Sequence, residues 1–125
     1  MELANTRVTI EYADQNESFA AILPVTGRLL RPLLAANDSR PWWNVVLDRS
    51  IDYQLKVGEP YQFRLIRSGE LVIGTREQKR AIGDREPTAV HILLPLSADS
   101  TKGSDLRVPE FYKVAWGVCR REDAV

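Results

Sequence analysis

The sequence predicts an all-β fold, or a mainly β fold with one short helix, built as a small barrel or sandwich of about six or seven antiparallel strands. Short runs of alternating apolar and polar residues recur along the chain, and clusters of turn-forming residues separate them. Only one segment spaces its apolar residues as a helix would. A barrel is the more attractive arrangement because closure removes exposed strand edges.

The first elements read as a hairpin. Residues 7–12 alternate cleanly, with Val8, Ile10 and Tyr12 on one face. Residues 13–17 have the composition of a turn, so residues 19–23 are expected to return as the second strand.

The segment 28–37 is compatible with two structures. Leu29, Leu30, Leu33 and Leu34 recur at helical spacing, and Pro32 suits the first turn of a helix. A bent edge strand through residues 27–30 explains the same residues equally well. Both interpretations stay open at this point.

The run 42–48 reads as a strand that begins with two adjacent tryptophans. Because strand side chains alternate, the pair points to opposite faces. Trp43, Val45 and Leu47 form a core stripe. Trp42 has two explanations of similar weight: an aromatic that faces a ligand, or part of a subunit interface.

Further strands are expected at 51–55, 61–67, 71–73, 89–94 and 111–119, with loops at 74–88 and 97–105. The second loop is small and polar, so it reads as solvated. The run 89–94 is apolar on both faces, as in strands with no solvated side. A chain of this size has too little material to cover several such strands, which predicts a homodimer.

Composition places the chain among ordinary globular proteins, as a single domain over residues 1–125. Its formal net charge is zero, from 17 basic and 17 acidic residues, which argues against nucleic acid as the main partner. No apolar stretch approaches a membrane span, and no secretory signal is visible. The lone Cys119 fits a reducing compartment, so we expect a cytoplasmic location.

Catalytic chemistry has few candidate residues. His91 is the only histidine and lies within an apolar strand, where a core or interface role is expected. Cys119 reads as a small apolar filler rather than an activated thiol. No Cys or His spacing typical of a zinc site occurs. The sequence therefore predicts no catalytic residue, no metal ligand and no cofactor.

The long loop at 74–88 is the most suggestive segment for binding, because loops carry function more often than scaffolds do. Its acidic residues are interleaved with the basic ones, so a self-paired solvated loop is the competing interpretation. Together with the strand before it and the tryptophan pair, it yields the predicted binding residues: Trp42, Arg64, Arg67, Arg76, Arg80 and Arg85.

Three function hypotheses follow. The preferred one is a small non-catalytic binding or protein-interaction module, whose partner is another protein or a second copy of itself. The second is a small-molecule enzyme that uses carboxylate and arginine chemistry in a β-barrel. The third is a single-strand nucleic-acid binder that stacks bases on aromatic residues, against which the zero net charge counts.

Overall fold

A computed structural model describes residues 4–14, 17–36, 40–57, 60, 62–76, 82 and 87–122. Strands dominate this part of the chain. Their bounds are β1 Arg7–Asp14, β2 Val25–Ala35, β3 Pro41–Val57, β4 Gln62–Thr75, β5 Thr88–Pro95, β6 Asp105–Leu106 and β7 Phe111–Arg121. The helical elements are a single turn, α1 Glu17–Ala20, and two 3-10 turns at Ala98–Thr101 and Val108–Glu110. None of these described helices is long and apolar enough to cross a membrane.

Six strands close into an antiparallel barrel. The sheet runs β1-β7-β5-β4-β3-β2, and β1 also pairs with β2, which joins the two ends. The short strand β6 is attached outside this closure, where it runs parallel to β2. The predicted all-β fold is confirmed, and the barrel is the form that it takes.

The barrel interior holds the main hydrophobic core. Trp43, Val45 and Leu47 of β3 point inward and are buried, as their alternation predicts. Inward residues of the other strands complete the core. They include Val8, Ile10, Leu29, Leu71, Ile73, Val90, Ile92 and Leu94.

The strand predicted at residues 19–23 is wrong. Phe19 belongs to α1, and β2 begins only at Val25, so the β1–β2 hairpin is joined by a helical turn. Phe19 is fully buried, and its ring meets Tyr53 edge to face with centroids 5.9 Å apart. A large aromatic anchor in the connection outweighs the β-propensity of the apolar run.

The ambiguous segment 28–37 is a strand from residue 28 to residue 35, and the helix alternative is wrong. Pro32 lies opposite Trp43 of β3. The N–H of Leu34 points away from β3, to the oxygen of Ser104 at 2.9 Å, so alternation turns the nitrogen of Pro32 to that same side. No described strand pairs with β2 at Pro32 on that side, so its missing donor costs no ladder bond.

An outer flap, residues 96–110, connects β5 to β7. It leaves the barrel, crosses the outside of the sheet, places β6 against the edge of β2 and returns to Phe111. Its neck is closed by the N–H of Leu96, which donates to the oxygen of Glu110 at 3.0 Å. Leu106 and Phe111 are buried in a second hydrophobic cluster on the outer surface of the barrel.

Polar contacts fasten the flap as well. Thr101 donates its hydroxyl to Glu70 at 2.7 Å and accepts a hydrogen bond from Arg31 through its backbone oxygen. Ser100 and Thr101 are buried. The prediction of a solvated loop at 97–105 is therefore wrong at its centre. Hydroxyl side chains can be buried when each has a hydrogen-bond partner.

Strands β3 and β4 continue past the barrel as a two-stranded ribbon. Residues 62–68 of β4 pair with residues 51–57 of β3, whereas β5 pairs only with Val72–Thr75. We call residues 62–70 the β4 arm. Its inner side chain Ile66 is buried, while the outward Phe63 and Leu65 are 68% and 59% exposed.

Candidate functional site

A row of aromatic side chains crosses the outside of the barrel. Trp42 of β3 lies opposite Gly74 of β4, which lies opposite His91 of β5, which lies opposite Trp116 of β7. Residues directly opposite one another in a sheet share a face. We call Trp42, His91 and Trp116 the aromatic belt.

Gly74 allows the belt to be continuous. A Cβ on this residue would lie 2.4 Å from Cε3 of Trp42, closer than real carbon atoms approach. The indole therefore lies flat over the backbone of β4 and reaches towards His91 on the next strand. The two ring centroids are 6.1 Å apart and the planes are inclined by 32°.

Two arginines stack on the ends of the belt. The guanidinium carbon of Arg40 lies 5.2 Å from the centroid of Trp42, and Nη1 of Arg40 donates to the oxygen of Thr75 at 2.9 Å. The guanidinium carbon of Arg76 lies 4.4 Å from the centroid of Trp116. Both distances are within the range of cation–π attraction, which holds the cations against the rings.

A cavity of about 330 Å³ opens between the belt and the outer flap. Its floor is apolar and consists of Trp42 and Leu93 from the barrel with Leu106 and Phe111 from the flap and its return. All of these floor residues are buried. Two distant segments thus build one apolar surface that is open to solvent on one side.

The charged side chains around this cavity are basic. Arg40 and Lys113 line it, with the half-buried His91 beside them, and no carboxylate is among its described lining residues. Lys113 is exposed and has no ion pair within the described chain. Nε1 of Trp42 is buried without a hydrogen-bond partner among the described residues, so an ordered water or a ligand oxygen would relieve a cost of about 1–3 kcal/mol.

The structure divides the predicted binding residues between two places. Trp42 and Arg76 lie on the belt, and Trp42 is 8% exposed, under the edge of the flap. Arg80 and Arg85 lie outside the described residues. The predicted loop therefore contributes one residue, Arg76, to the described site.

Arg64 and Arg67 lie on the β4 arm, away from the belt. Nε of Arg67 pairs with Asp52 across the ribbon at 2.7 Å, and both side chains are exposed. The hydrogen bond from Arg67 lowers the pKa of Asp52 below its usual value. These two arginines belong to a surface of their own.

Sequence reasoning missed Arg40, Lys113 and Trp116 as members of the site. Their proximity depends on the register of β3, β4, β5 and β7, which no local pattern reveals. Gly74 was the available signal, because a glycine inside a strand often marks the close approach of a neighbouring group.

Catalytic groups are sparse around this site. Cys119 points into the barrel, and burial raises the pKa of its thiol to about 12, so it is a packed side chain rather than a nucleophile. No three His, Cys, Asp or Glu side chains of the described ranges converge as metal ligands would. The arrangement can hold an apolar body and neutralise an anion.

Comparisons with protein-family models, with curated proteins and with solved structures give no match. The function therefore has to be inferred from the geometry and charge of the belt.

Proposed function

We propose that this barrel is a non-catalytic binding module that holds a small organic anion with a flat apolar body in the cavity beside the aromatic belt. The observation that carries the proposal is the pairing of a buried apolar floor with a rim of Arg40, His91 and Lys113. An apolar floor alone would accept any small hydrophobic compound. The basic rim adds a requirement for negative charge.

The size and lining of the cavity support a small ligand. About 330 Å³ is at the lower end of the range for ligand pockets, which are mostly apolar with a few placed polar groups. The ring of Trp42 offers a planar contact, and planar ligands stack favourably on aromatic faces. The ligand body is therefore expected to be one or two fused rings.

The basic rim supports a carboxylate or phosphate as the polar group. Arg40 is oriented by its bond to Thr75 and by the face of Trp42, so little side-chain freedom is lost when it binds. Hydrogen bonds from arginine or lysine to an anion are about twice as strong as neutral ones. Lys113 adds a second cation across the apolar floor.

Binding is favoured over catalysis because the described lining holds one histidine and no carboxylate or accessible thiol. A histidine that acts as a general base usually needs a substrate-side nucleophile and an orienting group. The belt and the two arginines stacked on it instead have the composition of binding surfaces, where tryptophan and arginine are enriched.

The test uses 2-naphthoate and its neutral counterpart 2-naphthylmethanol with the full chain. Calorimetric titration at low salt is expected to give a measurable Kd for the acid and at least tenfold weaker binding for the alcohol. The acid should also raise Tm, because a ligand that binds only the folded state stabilises it. Added salt should weaken binding of the acid alone.

Matched variants locate the binding. Lys113→Gln removes a rim cation, and Arg40→Gln with Lys113→Gln removes two; we expect about threefold and more than tenfold weaker binding of 2-naphthoate, respectively. Lys102→Gln removes an exposed lysine of the flap that does not line the cavity, so it should bind as the unchanged protein does. Equal affinity for acid and alcohol, or equal loss in all three variants, would overturn the proposal.

A further inference from the structure

The β4 arm carries a strand edge that no described strand covers. Strand β5 pairs with β4 only at Val72–Thr75. The N–H of Arg76 donates to Ala89 of β5, so the even-numbered residues of this end of β4 direct their backbone groups towards that side. Between Val46 and Ile51 the β3–β4 register shifts by an odd number of residues, and the inward side chains of β4 change from odd-numbered Leu71 and Ile73 to even-numbered Ile66. In the arm, the odd-numbered residues therefore direct their backbone groups to the side where β5 is absent.

Contacts between Ser68 and Glu70 lie where this change occurs, at the barrel end of the arm. The backbone N–H of Glu70 bonds the hydroxyl of Ser68 at 3.1 Å, and this hydroxyl donates to the oxygen of Glu70 at 2.8 Å. A side chain thus satisfies the last backbone groups before the paired region. Beyond it, the backbone groups of Phe63, Leu65 and Arg67 face the open edge.

The outward side chains of this edge are apolar although they are exposed to solvent. Phe63 and Leu65 are 68% and 59% exposed, the two highest values among the large apolar side chains of the described chain. Arg67 follows them on the same face, held by Asp52. An open edge with exposed apolar side chains is a template for another strand.

We propose that the occupant of this edge is the β4 arm of a second copy, paired antiparallel about a twofold axis at Leu65. In this register Leu65 faces its own counterpart, and Phe63 faces Arg67 of the other copy in a cation–π arrangement. The two Leu65 residues form a hydrogen-bonded pair on the axis, and the Phe63–Arg67 pairs are the next hydrogen-bonded pairs on either side. Each exposed apolar side chain of the arm then meets a complementary group.

Neighbouring registers are poorer. An axis at Arg64 places the two Arg64 side chains directly opposite each other, and like charges in that position destabilise a sheet. An axis at Ile66 places Phe63 opposite Gly69, so the largest exposed side chain loses its partner. The sequence of the arm therefore selects Leu65 as the centre.

Space for the end of the partner strand is present. A cavity of about 340 Å³ lies between residues 64–70 of β4 and residues 95–97 at the neck of the flap. With the axis at Leu65, Gln62 of the second copy lies opposite Ser68 and enters this cavity. The pairing extends one sheet across both molecules and uses none of the belt residues.

Disulfide cross-linking tests the register directly. In the proposed dimer the two Leu65 residues form a hydrogen-bonded pair, whose Cα atoms are about 5.5 Å apart, within disulfide range. Leu65→Cys should give a covalent dimer on mild oxidation. Leu34→Cys is the matched control, because Leu34 is 58% exposed on a different part of the barrel and should give none. Cys119 is buried and stays unreactive.

Light scattering tests the association itself. At about 100 μM the unchanged chain should have twice the mass of one 14.2 kDa chain, and Phe63→Lys with Leu65→Lys should weaken the dimer at least tenfold. The double variant should still bind 2-naphthoate, which separates this proposal from the one for the belt and reports correct folding. A mass of one chain for the unchanged protein, or equal cross-linking of the two cysteine variants, would overturn it.

Discussion

The two halves of strand β4 have the same backbone conformation and opposite environments. Residues 71–75 are buried throughout, and residues 72–74 pair with strands on both sides, whereas residues 62–65 are exposed and pair with β3 alone among the described strands. The apolar content of the two halves does not explain this difference, since Phe63 and Leu65 are as hydrophobic as Leu71 and Ile73. Pairing on the second side decides which half becomes core and which becomes a surface for another molecule.

The test with the largest expected effect on stability truncates one apolar side chain in each half of β4. Ile73→Ala should lower the free energy of unfolding by about 2–5 kcal/mol, because Ile73 is fully buried in the barrel. Leu65→Ala should change it by less than about 0.5 kcal/mol. Urea titrations compare the free energies of unfolding of the two variants, at a protein concentration below the dissociation constant of the dimer. Similar losses would mean that the arm is packed as the barrel is.

A second test uses the two glycines of β4. Gly74→Ala puts a methyl group 2.4 Å from the ring of Trp42, so the ring must move, at a cost of about 1–3 kcal/mol. Gly69→Ala meets only the hydroxyl of Ser50 at 3.6 Å, an ordinary contact, and serves as the control. Tryptophan fluorescence should shift for Gly74→Ala alone. An unchanged spectrum would contradict the flat packing of Trp42.

The core into which the closed half of β4 packs can be probed through the thiol of Cys119 on β7. Burial raises the pKa of Cys119 from 9.0 to about 12, so between these values the thiol ionises in the unfolded chain and stays neutral in the folded one. This neutral thiol favours folding below pH 9, and the advantage is lost as pH rises towards 12. From pH 7 to pH 10 the unchanged protein should lose about 1 kcal/mol more than Cys119→Ala does in urea titrations. If both proteins lost the same free energy of unfolding, the thiol of Cys119 would be exposed to water rather than buried.

A substitution in the open half of β4 should have the smallest effect on stability. Arg67→Gln removes the hydrogen bond that lowers the pKa of Asp52, so this pKa should rise towards its ordinary value. The ion pair favours folding above the ordinary pKa of aspartate and is lost on acidification, but both groups are solvated and the effect on stability should be slight. An NMR titration of Asp52 measures the shift. An unchanged pKa of Asp52 would contradict the ion pair between Arg67 and Asp52.

Much of the fold was predictable because alternation is a local property. The core stripe of Trp43, Val45 and Leu47 follows from side-chain alternation, and the strand at 89–94 follows from its continuous apolar run. The errors have non-local causes. Phe19 anchors a helical turn by contact with Tyr53, far along the chain. Pro32 is tolerated because of where β1 and β6 stop pairing with β2.

The site was predictable only in part, for the same reason. Trp42 and Arg76 were singled out by residue type, and both lie on the belt. Of their companions, Arg40 immediately precedes β3, and Lys113 and Trp116 both lie on β7. The register of four strands brings them together, and a one-residue slip would turn each to the other face.

The outer flap has a consequence for how this protein can change. Strands β5 and β7 lie side by side and antiparallel, so a tight turn of about two to five residues would connect them. Residues 96–110 are surplus to closure of the barrel, yet they supply Leu106 to the floor of the cavity. The scaffold and the wall of its cavity are therefore encoded separately. Replacement of this one insertion offers a route to a new ligand on an unaltered barrel.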